Sequence, residues 1–185
     1  TAPIRVWPLS SEQNGRDSIV LQHPMAKRIL SLVFSSDGKL MASAANGSIA
    51  LWDMEATSPT MLTSFQRFDA TVFGMAFSSD GRYLASGSIK TGTPVIVWDI
   101  ADPKKPKEAF KLTLPAPDSQ CAFDFSKDSK TLFISSGAKD QAGHIFSWTF
   151  KTDKVAKLLW TGPSTKANVP FPRAIKLSPD GNQIA

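Results

Sequence analysis

Short apolar runs, each closed by a tryptophan, punctuate this chain: IRVW, IALW, VIVW and IFSW end at Trp7, Trp52, Trp98 and Trp148, which lie 45, 46 and 50 residues apart. A second phrase runs in step with the first. It reads VFSSDGKLMAS from Val33, AFSSDGRYLAS from Ala76, DFSKDSKTLFI from Asp124 and KLSPDGNQIA from Lys176. Two ladders in register define a repeating unit, and self-similarity at about 40–50 residues is the signature of stacked supersecondary units. No stretch of ten or more residues has a helical apolar period, so the chain reads as all-β.

The middle unit is the clearest. VFGMAF (72–77) and RYLASGS (82–88) flank SSDG, a tight turn because Asp bonds its own backbone and Gly accepts positive φ. VIVWDI (95–100) suits a strand buried on both faces. ADPKKPKE, with its prolines and charges, must be loop, and AFKLTL (109–114) alternates as an outer strand should. The first unit repeats the pattern with ILSLVF, KLMASA, SIALWD and MLTSFQ. The third has QCAFDF, KTLFIS, HIFSWTF and VAKLLW, with Ser129 in place of the turn glycine. The fourth supplies RAIKLS and NQIA. Trp7, Trp52, Trp98 and Trp148 are expected in the core, and Trp160, at the end of a fourth strand, is expected to be partly exposed.

The pairs Trp52-Asp53 and Trp98-Asp99, the phrases IALWD and VIVWD, and the hairpins FSSDGKLMAS and FSSDGRYLASGS make the chain resemble the WD-repeat β-propeller family over essentially its whole length. The resemblance implies a β-propeller of four-stranded antiparallel blades, three complete and one split between the termini. Residues 1–22 would supply the third and fourth strands of the split blade and a lead-in. Residues 23–66, 67–114 and 115–160 would each form a blade, and 161–185 the first two strands of the split one. There are departures. Trp7-Pro8 and Trp148-Thr149 lose the aspartate, and the family's Gly-His pair is missing from every unit. His23 lies near its place but follows Gln22, and His144 opens a third strand. Polar networks within the blades are therefore expected to be weak, with apolar packing holding them together.

Such rings commonly close by strand exchange between the termini, leaving no free edge. Three completions are open: a four-bladed ring of one chain, an eight-bladed ring of two copies joined head to tail, or a longer propeller with blades beyond these 185 residues. The last is favoured, because about 45 residues per blade leave the chain short of the usual seven or eight. The chain also starts without methionine and inside a strand-like segment, as a processed or trimmed piece would.

Composition narrows the function classes. At 42% apolar and 20% charged the chain is of the soluble globular type. No apolar run approaches the roughly 18 residues of a membrane-spanning helix, and TAPIRVW is no signal peptide. Cys121 is the only cysteine, so no intrachain disulfide forms; it reads as a buried filler in a reducing compartment, the cytoplasm. No GxSxG, HExxH or phosphate-binding glycine loop is present, so neither catalysis nor a cofactor is expected. Asp37-Gly38, Asp80-Gly81 and Asp180-Gly181 read as turn residues rather than metal ligands, since they lack the dense spacing of a calcium loop.

Resemblance to the family implies a non-catalytic scaffold or adaptor acting through loops, chiefly those between fourth and first strands and between second and third strands. Here these are HPMAKR, RFDAT, IKTGTP, PAPDS, AKDQAG and GPSTKANVPFPR. They carry Lys27, Arg28, Arg67, Lys90, Lys139 and Arg173, with Phe68 and Phe171 as aromatic anchors, and this face is expected to bind an acidic peptide or protein domain. The net charge of +5 fits, although scattered basic loops also serve solubility. Without a dense Lys/Arg stripe or an interleaved aromatic platform, nucleic acid is not the expected partner. DPKKPK (102–107), the densest basic run, falls on the opposite face and reads as a solvated connection. The alternatives are an enzyme or ligand-binding sensor with a site in the central channel, or a regulatory sensor module of a larger protein. A channel site needs inward-pointing His, Asp or Glu, whereas the first strands are nearly all apolar.

Overall fold

The computed structural model describes residues 3–7, 18–24, 28–56, 58–67, 69, 71–88, 90, 92–114, 119–137, 142–162 and 174–185, with backbone only at 119–121. The described strands are β1 (Pro3–Val6), β2 (Ile19–Gln22), β3 (Ser31–Phe34), β4 (Leu40–Ala45), β5 (Ser48–Asp53), β6 (Thr60–Gln66), β7 (Val72–Phe77), β8 (Tyr83–Ser88), β9 (Val95–Asp99), β10 (Lys107–Leu112), β11 (Ser119–Phe125), β12 (Leu132–Gly137), β13 (His144–Trp148) and β14 (Lys157–Thr161). They form three antiparallel four-stranded sheets, β3-β4-β5-β6, β7-β8-β9-β10 and β11-β12-β13-β14, and a two-stranded sheet, β1-β2. A last hairpin bridges Leu177 to Ile184, with Lys176 and Ala185 exchanging both backbone bonds.

The first turn of every blade is built the same way. Ser35 donates its hydroxyl to Asp37 Oδ1, that oxygen accepts the Lys39 amide, and Ser35 Oγ accepts the Leu40 amide. Ser78/Asp80, Ser126/Asp128 and Ser178/Asp180 repeat it, with hydroxyl–carboxylate distances of 2.5–2.6 Å. Gly38, Gly81 and Gly181 take φ of 71–76°, a conformation open to glycine at little cost. Ser129 takes φ 58° without that freedom, and its hydroxyl accepts the Asp80 amide of the preceding blade at 3.0 Å. Ser36 Oγ likewise donates to the Ser79 carbonyl at 2.8 Å, so consecutive turns are stitched together.

The third strands β5 and β9 divide their side chains between two seams, as period-two geometry allows. Ala50 and Trp52 pack with Ile4, Leu21 and Met41 of one cluster, while Ile49 and Leu51 pack with Val72, Leu84 and Trp98 of the next. Ile96 and Trp98 share that second seam; Val95 and Val97 turn to the third, with Phe123, Leu132, Phe146 and Trp148. The sheets thus stack face to face with β3, β7 and β11 innermost, around a cavity of about 450 Å³. This is a β-propeller with three complete four-stranded blades. Two further strands flank it at one end and a hairpin at the other, and no pairing joins these two among the described residues.

Three details differ from expectation. Trp7 is 52% exposed instead of buried, because β1 ends at Val6 and the ring lies beyond its sheet. Strand β10 begins at Lys107 rather than Ala109: Lys107 and Glu108 pair with Asp99 and Trp98 before a bulge. The polar networks are also stronger than expected. Trp52 Nε1 donates to Ser43 Oγ at 2.9 Å and Trp98 Nε1 to Ser86 Oγ at 2.8 Å, while Trp148 uses the Asp153 carbonyl. His23, fully buried, hydrogen-bonds the Ser43 backbone although no glycine precedes it. Trp160 is 47% exposed, as expected.

Two outcomes follow. Ser86→Ala leaves the Trp98 indole N–H buried without its acceptor and should lower unfolding free energy by about 1–3 kcal/mol in urea titrations; an unchanged midpoint would contradict the assignment. Burial pushes the His23 imidazole below its ordinary pKa of 6.5, so the unfolded chain takes up a proton that the folded chain refuses. Stability is then full above that value and declines as the pH falls below it. His23→Gln should flatten this part of the melting profile, and an equally steep decline in the variant would refute the role.

Candidate partner-binding surface

Of the eight residues that the sequence nominates, Arg28, Arg67 and Lys90 are described; Lys27, Phe68, Lys139, Phe171 and Arg173 lie outside the described residues. Cys121 is described in its backbone only. Arg28 is exposed just ahead of β3. Arg67 follows β6, where its amide bonds the Gly47 carbonyl, and its guanidinium crosses to the outer strand of the next blade. There Nη2 and Nε lie 2.6 and 3.0 Å from Glu108 Oε2. Arg67 thus ties two blades together. Lys90 sits 3.0 Å from Asp69 Oδ2, and this ammonium holds the Asp69 carboxyl below the usual range. Both partners are largely exposed, so the pair orients the loop more than it stabilises it.

Carboxylates elsewhere are committed to the backbone. Asp37, Asp128 and Asp180 are held below the ordinary carboxylate range first by the Ser35, Ser126 and Ser178 hydroxyls and then by amides two residues on. Asp124, nearly buried on β11, accepts the Leu177 amide at 2.8 Å and Lys176 Nζ at 3.0 Å, and so latches the last hairpin to the third blade. No three His, Cys, Asp or Glu among the described residues gather as a metal cluster. The central cavity is walled by residues such as Leu32, Phe73, Met75, Phe123 and Ile175 and carries no titratable side chain in its described lining. No helix among the described residues is long and apolar enough to cross a membrane.

A constellation that the sequence reading did not assemble lies at the seam of the second and third blades. Tyr83 is buried there with Phe110 and Phe150 at centroid distances of 6.3 and 5.3 Å. Arg82 Cζ and Lys151 Nζ, from different blades, lie 5.4 and 5.2 Å from the Tyr83 ring centre. Arg82 also pairs with Asp99 at 3.0 Å; the Ala101 amide, then Arg82, holds the Asp99 carboxyl low. Nothing local in the sequence signals this meeting, because it brings together residues far apart in the chain.

Comparison with known proteins agrees with this architecture. The family model "WD domain, G-beta repeat" matches residues 17–53 and 60–92. The chain is 30% identical over 104 residues to target of rapamycin complex subunit LST8 of Saccharomyces cerevisiae, covering 56% of this chain and 32% of that one. It is 29% identical over 150 residues to target of rapamycin complex subunit wat1 of Schizosaccharomyces pombe, covering 78% and 41%. The chain therefore spans well under half the length of these curated relatives. Among solved structures, a putative 6-phosphogluconolactonase from Bacteroides uniformis superposes with a TM-score of 0.70 at 20% identity, covering 98% of this chain and 56% of that one. A chain of the mitotic checkpoint complex superposes with a TM-score of 0.61 at 21% identity, covering 84% and 46%. At such identities the structural likeness concerns the fold alone. Its repeat phrases, its Trp–Ser bonds and these matches show WD repeats carried on a β-propeller frame.

Proposed function

We propose that this chain is a non-catalytic docking platform within a multiprotein assembly. The observation that carries the reading is the division of labour among its side chains. The inner strands spend their apolar faces on the seams, the turn carboxylates serve their own turns, and the described cavity wall offers no reacting group, so recognition falls to the loops. The curated relatives are subunits of target of rapamycin complexes, which supports an assembly role of the same kind. On this reading the partner presents acidic groups to the loop face carrying Arg28 and Lys90 together with Lys27, Lys139 and Arg173, with Phe68 and Phe171 as anchors. Arg67 contributes there through its tie to Glu108, which fixes the loop after β6. The apolar cleft formed by Ile145, Leu159, Trp160 and Ile184 on the flank of the third blade is read as the seat of a further blade, whichever chain supplies it.

The test is reconstitution with the other subunits of a target of rapamycin complex. The wild-type chain should co-elute with them, and Arg28→Glu with Lys90→Glu should weaken the association several-fold without changing the thermal midpoint. Absence of co-elution would defeat the assembly, and unchanged affinity in the double variant would defeat the acidic loop-face contact. Arg67 is left intact, because its reversal would face Glu108 with a second carboxylate and disturb the blades themselves.

A further inference from the structure

We infer that the opposite face, at the seam of the second and third blades, is a second docking surface, one that takes an extended peptide mixing acidic with apolar side chains. The cations come from two loops and the strand starts that follow them: Lys104, Lys105, Lys107, Lys151, Lys154 and Lys157, all exposed. None has a carboxylate within ion-pair distance among the described residues, in contrast to Arg67 and Lys90 on the loop face.

Both loops are built to present these charges. In DPKK the Lys105 amide bonds the Asp102 carbonyl at 2.9 Å, and Asp102 Oδ1 accepts the Lys104 amide. Pro103 at the second position presets the turn, so both ammonium groups project from fixed backbone. In the other loop the Thr152 amide bonds the Thr149 carbonyl at 2.9 Å, and the Trp148 indole closes the loop on the Asp153 carbonyl. Phe150, inside that turn, is buried against Phe110 at 5.1 Å, which places Lys151 over Tyr83 of the neighbouring blade. The loops are therefore contiguous across the seam, and DPKKPK is more than a solvated connection.

The chemistry of the surface separates peptide from polyanion. Asp99, Asp102 and Asp153 are interleaved with the lysines and would repel an unbroken run of phosphates. The cations are almost all lysines, whereas planar bidentate recognition of phosphate favours arginine. Val155, 69% exposed between Lys154 and Lys157, and Leu158, 49% exposed, add apolar contacts that a nucleic acid backbone could not use. Alternating acidic and apolar side chains match this surface in both charge and hydrophobicity.

The probe is a short fluorescent peptide alternating glutamate with leucine or valine, titrated into the intact chain by anisotropy at low ionic strength. Comparison ligands are oligoglutamate, a single-stranded oligonucleotide and vesicles of phosphatidylserine with phosphatidylcholine. Saturable binding should be weakened about tenfold by Lys104→Glu with Lys151→Glu, and several-fold by Val155→Ser. A second pair, Lys104→Glu with Lys105→Glu, alters only the exposed turn and should weaken binding by a similar factor without changing the thermal midpoint. The inference is overturned if the peptide fails to bind or if both lysine pairs leave its affinity unchanged. It is equally overturned if oligoglutamate, oligonucleotide or vesicles bind as tightly as the mixed peptide.

Discussion

Burial of the third strands β5 and β9 on both faces is the constraint on which the rest of the molecule depends. Ile49 and Leu51 point into one seam while Ala50 and Trp52 point into another, and Val95 and Val97 oppose Ile96 and Trp98 in the same way. A single four-stranded sheet with two apolar faces cannot stand in water, so each blade requires a neighbour on either side. Apolar transfer of about 25 cal/mol per Å² makes every seam a major stabilising element, far above the exposed ion pairs. The indole–hydroxyl bonds from Trp52 to Ser43 and from Trp98 to Ser86 satisfy the polar atoms that this burial would otherwise strand.

That constraint also shapes the surface. With strand faces consumed by packing, charge is displaced to turns and loops, and the two signs meet different fates. Aspartates such as Asp37, Asp128 and Asp180 are occupied by the serine and amide of their own turn, and Asp124 by the last hairpin. Lysines such as Lys104, Lys105, Lys151 and Lys154 are left facing solvent. A rigid frame with unengaged cations in hydrogen-bonded turns suits docking, since little loop order must be gained on binding.

Local periodicity made most of the frame legible in the sequence. The SxDG turns and the tryptophan-closed runs located the hairpins and the doubly buried strands, because turn chemistry and strand period are properties of neighbouring residues. The errors fall where the outcome depends on another blade. Periodicity puts Trp7 on the core side of its strand, yet it marks only the face a side chain takes, not whether a sheet lies opposite that face. Lys107 and Glu108 looked like loop beside Pro106, but β9 recruits them into β10. The stitch from Asp80 to Ser129 and the bridge from Arg67 to Glu108 join residues 49 and 41 positions apart, a proximity only blade packing creates. Within the nominated surface, identity of charge was readable from the sequence, whereas the pairing of Arg67 and Lys90 was not.

The central claim is that the blades form one mutually dependent frame on which the loops are displayed. Native-state hydrogen exchange measures it most directly, through the opening free energies of amides in β5 and β9, which belong to different blades. The account predicts one shared value for the buried amides of Ile49–Leu51 and Ile96–Val97, shifted together when a seam residue such as Leu84 is truncated. Separate values for the two blades, with only one moved by the truncation, would contradict it.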